Sequence, residues 1–240
     1  MIQQIKYTKD EARKEMVFVS DLHLNQNAQW LVDSRRTLHS DLNVFSTPEE
    51  HDEWILSEWE KNLSNKIVFD LGDQTFKDPK GEMFTRLSNL PCKEHYVVAG
   101  NHRSGFKQCY QKALGEWCVD NGLDYQKPSF EVYPLSFNNI TFCGLDITLK
   151  VGKQEIHLSH FAKRLFDNLG HGSIHLSGHS HSSDSDRNVP NKNGKTLDVG
   201  VENAISYGDK FWFTYEEIEN IMSQKEIQIL DHHNKNTNPS

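Results

Sequence analysis

Aspartate, asparagine and histidine recur in five short motifs along this chain, each directly after an apolar segment. The motifs are Asp21-Leu22-His23, Gly72-Asp73, Gly100-Asn101-His102, His160 and Gly178-His179-Ser180-His181. Carboxylate and amide oxygens, combined with imidazole nitrogens, form a ligand set that suits divalent cations. A hydrophobic core has no need of such a set. Because the five motifs occur together and in order, they predict a site for a pair of divalent cations.

Each motif follows a segment with the length and composition of a buried β-strand. Strands are predicted over residues 16–20, 66–70, 95–99, 140–144, 147–151, 155–159, 173–177 and 196–201. Because strand ends in one sheet converge on one crevice, the motifs are expected to meet there. Asp21 and His23 are two residues apart on extended chain, so both can face one cation, and His179 and His181 repeat this spacing.

Two of these residues are candidates for the chemistry itself. A carboxylate between two cations can bridge them through its two oxygens, which accounts for Asp73, and Gly72 permits a turn that a Cβ would obstruct. His102 lies next to the ligand candidate Asn101 and could donate a proton to a leaving oxygen. Each motif alone is common in turns, so the prediction depends on the whole set.

The remaining histidines are not predicted to be metal ligands. His157 and His175 lie within strands, opposite in parity to the apolar residues, and are interpreted as satisfied interior or interface histidines. His171 is a candidate substrate contact. The surface is predicted for His39, His51, His95, His232 and His233.

Helices are predicted between the strands. Thr47 and Glu50 form a capping box that starts a helix through about residue 63, with Pro at its first position. A second helix is predicted over 106–121, ended by Gly122, and Thr214 caps a last helix to about residue 225.

Hairpins and loops complete the predicted architecture. Asn138-Asn139 and Gly152-Lys153 are typical of hairpin turns. Residues 25–46 and 182–195 are predicted to be long loops, and 231–240 a flexible tail. The pattern favours an α/β fold with a mixed sheet or two packed sheets. Residues 1–240 are expected to form a single domain with its core over about 15–225.

Composition narrows the function classes. The chain of 240 residues is 36% hydrophobic and 25% charged, with a net charge of −8, so extensive contact with a nucleic-acid backbone is disfavoured. Its four cysteines form no C-x-x-C pair. The polar start has no signal-peptide pattern, and no segment approaches the roughly twenty apolar residues of a membrane helix. We expect a soluble cytoplasmic protein without a membrane partner.

The ordered motifs resemble those of the calcineurin-like metallophosphoesterase superfamily, especially its small bacterial and phage-type phosphoesterases. The segments that carry the resemblance are FVSDLHL, LGDQTF, VVAGNH, LSHF, GSIHLSGHSH and LDVGVEN, within residues 17–218. The resemblance implies a four-layer αββα sandwich of two mixed β-sheets flanked by helices. It implies one metal on Asp21, His23, Asp73 and His181, and a second on Asp73, Asn101, His160 and His179. His102 matches the catalytic histidine.

The chain departs from the family pattern at a few positions. Arg103 follows the G-N-H motif where relatives carry an acidic residue, and it is a candidate clamp for a phosphate oxygen. Gln74 follows Gly-Asp, and Asn25 and Gln26 stand where the subgroup has Gly-His. These differences concern the substrate pocket more than the metal ligands.

The expected function is therefore that of a dinuclear phosphohydrolase, most simply a phosphodiesterase for small nucleotide-like or cyclic phosphate esters. Manganese is the first candidate for the two divalent cations, with iron, nickel or zinc as alternatives. A phosphomonoesterase, a nuclease and a non-catalytic scaffold remain open. A nuclease would need a basic track, for which the candidates are Arg35-Arg36, Lys163-Arg164 and Arg103 with Lys107. The oligomeric state stays open.

Overall fold

The computed structural model describes residues 3–124, 131–181 and 194–228. Its strands in chain order are β1 (Gln3–Tyr7), β2 (Met16–Val19), β3 (Ile67–Asp70), β4 (Glu94–Val97), β5 (Leu135–Phe137), β6 (Ile140–Phe142), β7 (Asp146–Val151), β8 (Gln154–Ser159), β9 (Ile174–Ser177), β10 (Thr196–Asp198) and β11 (Phe213–Thr214). The helices are α1 (Lys9–Glu15), α2 (Gln29–Leu38), α3 (Pro48–Asn62), α4 (Glu82–Ser88), α5 (Ser104–Asp120), α6 (Val201–Gly208) and α7 (Tyr215–Ser223), with a 3₁₀ turn at Leu169–His171.

The strands form two mixed sheets. The five-stranded sheet has the order β1-β7-β8-β9-β10, with β7 and β8 antiparallel and the other pairs parallel. The six-stranded sheet has the order β11-β2-β3-β4-β6-β5, parallel except at its edges β11 and β5. The predicted α/β class, with two mixed sheets flanked by helices, is confirmed.

Alternation along β2 divides its side chains between two cores, because successive residues of a strand face opposite sides of the sheet. Phe18 packs between the two sheets, where its ring stacks on Phe69 at 5.5 Å and the surrounding cluster includes Leu149 and Leu176. Val17 and Val19 face the other way, into a cluster that includes Trp59 of α3. Strand β2 is therefore buried on both faces, and only its carboxyl end is free to present polar side chains.

Predicted caps and hairpins are largely confirmed. The β5–β6 and β7–β8 turns lie at Asn138-Asn139 and Gly152-Lys153. Thr214 forms a complete capping box with Glu217. At α3 the box is shifted, because the Thr47 hydroxyl accepts from the Glu50 N–H at 3.2 Å, whereas the Glu50 carboxylate accepts from the Ser46 N–H at 2.7 Å.

Several predictions are wrong. The predicted loop 25–46 contains α2, whose first turn has no capping side chain to mark it. The strand predicted over 196–201 ends at Asp198, and α6 begins at Val201. The N-terminal β1 and α1, and also α4 and β11, were not predicted. Most of the predicted loop 182–195, namely 182–193, and the tail 231–240 lie outside the described residues. None of the helices within the described ranges combines the length and apolarity needed to cross a lipid bilayer.

Candidate metal centre

The five motifs meet at the carboxyl ends of β2, β3, β4, β8 and β9. Main-chain hydrogen bonds continue beyond the strands and tie the motifs together. The Asp21 N–H donates to Gly72 O at 2.9 Å, the His23 N–H to Asp73 O at 2.9 Å, and the Gly178 N–H to His160 O at 3.0 Å. The convergence predicted from the strand ends is confirmed.

Two groups of side chains offer ligand atoms within 4.8 Å of one another. One group is Asp21, His23 and His181, and the other is Asp21, Asp73 and His160. His23 Nε2 lies 3.8 Å from Asp21 Oδ1 and 3.7 Å from Asp73 Oδ2, and His160 Nε2 lies 3.4 Å from Asp73 Oδ2. Asp21 is common to both groups, and Asp73 lies between His23 of the first group and His160 of the second, so both carboxylates are placed to serve a pair of cations.

Asn101 and His179 lie beside the second group. Asn101 Oδ1 is 2.8 Å from His160 Nε2. The rings of His179 and His160 are 5.2 Å apart, and His179 is exposed at the rim of the site. All seven predicted metal ligands therefore lie at one edge of the sheets.

Unpaired buried atoms test whether cations fit this site. Asp21 Oδ1 and both ring nitrogens of His23 are buried and have no hydrogen-bond partner among the described residues. Buried polar atoms are nearly always paired, so these atoms need a partner of another kind. A divalent cation would bind the Asp21 oxygen and one nitrogen of the His23 ring, since the other nitrogen carries the proton of a neutral imidazole, and these donors therefore fit a cation.

Backbone conformation at the site is unusual. Asp21, His23, Asp73, His179 and His181 have φ angles of 59°, 52°, 54°, 70° and 48°. Non-glycine residues in this left-handed region cost on the order of 1 kcal/mol or more each. Such strain persists where the surrounding structure imposes it, and it clusters at functional sites. Here it turns five polar side chains toward one crevice.

Two histidines are oriented by hydrogen bonds from Nδ1. His160 Nδ1 donates to Leu71 O at 2.9 Å, and His181 Nδ1 donates to Glu202 Oε1 at 2.9 Å. In both rings Nε2 is left facing a carboxylate, which is the arrangement of a metal-binding imidazole. Burial opposes protonation of each ring, but Asp73 beside His160 and Glu202 beside His181 outweigh it and raise both pKa values.

The predicted catalytic His102 is exposed at the mouth of the site. Its ring lies 5.4 Å from His23 and 4.7 Å from Phe76. Partial burial lowers the pKa of His102. Arg103, the predicted phosphate clamp, is the next residue and is also exposed, directly before α5. Both side chains are free to approach a substrate.

The structure corrects three assignments. His171 lies before the amino end of β9, whereas His179 follows its carboxyl end, so His171 is not brought to the site. His51 and His95 are buried instead of exposed, packed against Phe45 and Trp59 respectively. His157 and His175 are confirmed as satisfied, with Nε2 of His157 at 2.9 Å from Asp167 O and Nδ1 of His175 donating to His157 O at 3.0 Å.

Arg35, Asp198 and Glu202 were missed as site residues. Arg35 was predicted only as part of a basic track, but it is 0% exposed. Burial and the nearby Asp21 charge raise the pKa of Asp198 to about 7, and its carboxylate accepts from the Ser180 hydroxyl. The segment LDVGVEN contains both acids, yet sequence alone gives them no partners, since Arg35 lies in α2 and Ser180 and His181 follow β9.

Comparisons with known proteins give no family. No family model matches the chain, and no curated protein matches it. One similar solved structure is that of AQ665, a protein of unknown function from Aquifex aeolicus. The chains are 14% identical, and the superposition covers 86% of this chain and 98% of that chain with a TM-score of 0.47. A similarity of this degree carries no argument about function, which has to come from the site itself.

Proposed function

We propose that this protein is a dinuclear metal-dependent phosphoesterase. The proposal depends on two groups of ligand atoms that share Asp21. Between them lies Asp73, whose Oδ2 is 3.7 Å from His23 Nε2 and 3.4 Å from His160 Nε2. The unpaired atoms of Asp21 and His23 and the oriented rings of His160 and His181 support it. One ion would be held by Asp21, His23, Asp73 and His181, and the other by Asp73, Asn101, His160 and His179, with Asp21 within reach of both.

Cations bound there would supply Lewis acidity, polarising the phosphoryl oxygens and lowering the pKa of a water molecule. Side chains of the protein would act on the departing oxygen and on the phosphoryl oxygens. His102, at the mouth, would protonate or stabilise the departing oxygen. Arg103 would donate to a phosphoryl oxygen, which a guanidinium does well because its donors match the spacing of phosphate oxygens.

The surroundings favour a small ester over a long polyanion. Of the candidates for a basic track, Arg35 is buried, Arg36 pairs with Asp33, and Lys163 pairs with Asp146. The other three candidates, Arg103, Lys107 and Arg164, are exposed. The net charge of −8 repels a polymer of phosphates. A nuclease is therefore the weaker candidate.

An aromatic side chain at the rim suits a small substrate. Phe161 is 50% exposed, and its ring centre lies 4.6 Å from that of His179. The flat group of a nucleotide-like or aryl ester could pack on this exposed ring. The ring would serve a diester and a monoester alike, so we keep the order predicted from the sequence, with a phosphodiesterase for such esters first and a phosphomonoesterase second.

A substrate panel tests the proposal. Metal-free protein, reconstituted with Mn²⁺, Fe²⁺, Ni²⁺ or Zn²⁺, would be assayed against aryl phosphodiesters, cyclic nucleotides, phosphomonoesters and labelled single-stranded DNA. We expect cation-dependent turnover of a small ester and no cutting of the DNA. Binding of two equivalents of cation without turnover of any ester would instead support the non-catalytic scaffold, and absence of cation binding would refute the proposal.

A further inference from the structure

Beneath the Asp21–His23 turn lies the guanidinium of Arg35, a residue of α2 that is completely buried. Its Nη2 donates to Asp21 O at 2.5 Å and its Nη1 to Leu22 O at 3.0 Å. Nη1 also donates to His51 Nε2 at 2.8 Å. The bonds to Asp21 O and Leu22 O fix the main chain of a turn in which Asp21 and His23 both have positive φ.

Glu202 joins this guanidinium to a predicted metal ligand. Arg35 Nε donates to Glu202 Oε1 at 2.9 Å, and His181 Nδ1 donates to the same oxygen at 2.9 Å. Glu202 is 3% exposed. Burial opposes its ionisation, but the Arg35 charge outweighs that cost and lowers the pKa of Glu202. A buried carboxylate is tolerated here because it has a buried cation as its partner.

The two oriented imidazoles, those of His160 and His181, thus differ in the group that accepts a hydrogen bond from Nδ1. His181 depends on Glu202, a charged side chain that is itself held by Arg35. His160 depends on the main-chain carbonyl of Leu71, at 2.9 Å, which no side-chain substitution removes. A carboxylate acceptor makes an imidazole a stronger ligand than a neutral carbonyl does, since it stabilises positive charge on the ring.

We propose that Arg35 and Glu202 are positioning residues for one cation of the pair. They hold the Asp21–His23 turn and the His181 ring together, so the ion at Asp21, His23 and His181 depends on a charged side-chain pair. The ion at Asp73 and His160 uses no histidine that bonds to that pair, and only the shared Asp21 connects it to Arg35. The inference rests on the proposed dinuclear site and goes beyond it, because it predicts that the ligands of the two cations are oriented by different groups.

Counting bound Mn²⁺ tests this asymmetry. Metal-free wild-type and Glu202→Gln proteins would be titrated with Mn²⁺, and the free ion would be measured by electron paramagnetic resonance. We expect two equivalents on the wild type. Glu202→Gln should keep one of them and bind the other about 10–100-fold more weakly, the usual effect of losing an orienting partner of a ligand.

A matched control is Glu94→Gln, which alters a carboxylate bonded by Tyr7 and Tyr96 at the amino end of β4, remote from the site. It should bind both equivalents as the wild type does. Two equivalents of unchanged affinity on Glu202→Gln would overturn the inference, and so would equal weakening of both. Absence of binding to the wild type would instead refute the dinuclear site itself.

A second measurement does not require Glu202→Gln to fold. In zinc-loaded protein with ¹⁵N-labelled histidine, His181 should carry its proton on Nδ1 and bind zinc through Nε2. Its signals can be assigned by comparison with His181→Asn. Zinc bound to Nδ1 of His181 would overturn the role of Glu202, even if Glu202→Gln did not fold.

Discussion

The main-chain N–H of His179 donates a hydrogen bond of 2.9 Å to Oδ2 of Asp21. An equivalent bond of 2.8 Å runs from the His102 N–H to Oδ1 of Asp73. In each pair one carboxylate oxygen is fixed by the backbone of another motif, and the other oxygen faces the histidines. The two acids are therefore held in place by bonds that leave one oxygen of each for a cation.

This arrangement predicts that Asp73→Ala abolishes activity and cation binding at both positions, because Asp73 lies between the two groups. Wild-type protein should gain about 2.7 kcal/mol of stability for each site when Mn²⁺ is present at a hundred times its Kd. The variant should not show this gain. Thermal unfolding with and without Mn²⁺, together with an ester assay, measures both effects.

Asp78→Asn is a suitable control for a buried carboxylate. Asp78 accepts from the Glu82 and Phe84 N–H groups at the start of α4 and takes no part in the ligand groups. Its substitution should lower stability by about 1 kcal/mol, as the loss of a cap does, and leave the Mn²⁺ effect intact. Turnover by purified Asp73→Ala protein would refute the mechanism.

His102→Gln should separate chemistry from cation binding. The bond to Asp73 comes from the main chain of His102, so it survives the substitution. Turnover should fall on the order of 10²–10⁴-fold, the usual contribution of a positioned acid, while two equivalents of cation stay bound. Steady-state kinetics and a Mn²⁺ titration on one preparation would decide this. Loss of a bound cation from the variant would instead show that His102 is a ligand, and unchanged turnover would show that it takes no part in the reaction.

Much of the site was predictable because it depends on local chain patterns. Apolar segments such as 16–19 predict strands, and the polar residue after each strand then falls at the carboxyl edge of its sheet. Asp21, Asp73 and His160 were found in this way. No neighbouring pattern could reveal Arg35 and Glu202, which lie 167 positions apart and meet only in the folded chain.

Two of the missed helices, α2 and α6, were missed for the same reason. Helix α2 begins at Gln29 after Ala28, which offers no capping oxygen, and α6 begins at Val201 after Gly200. Without a cap, the sequence signal for a helix start is weak, and a short apolar segment can be taken for a strand. By contrast, the capped α3 and α7 were predicted close to their observed bounds.

Close packing around Gly178 supplies a third test. A Cβ built there would lie 1.9 Å from Ser20 Oγ and 2.3 Å from Asp21 Oδ2. Gly178→Ala should therefore push Asp21 out of place, destabilise the protein by about 1–3 kcal/mol and weaken cation binding. In α6, Gly208→Ala has only the end of Lys210 near its Cβ, at 3.7 Å, and should leave binding unchanged. Equal Mn²⁺ affinity in both variants would show that Asp21 tolerates the displacement.

His175 makes stability depend on pH, independently of the cations. It is fully buried, the Lys163 N–H donates to its Nε2 at 3.0 Å, and its Nδ1 donates to His157 O at 3.0 Å, so the ring is bonded as a neutral imidazole. Burial lowers its pKa to about 4 from 6.5. Above pH 6.5 neither the folded nor the unfolded chain protonates this ring, so it adds no pH dependence. As the pH falls toward 4, only the unfolded chain gains the proton, and the free energy of unfolding should fall by about 3 kcal/mol.

Urea unfolding of metal-free wild type and His175→Gln across this pH range measures this loss of stability, which should be absent from the variant. Parallel pH profiles for the two proteins would show that His175 is protonated equally in both states.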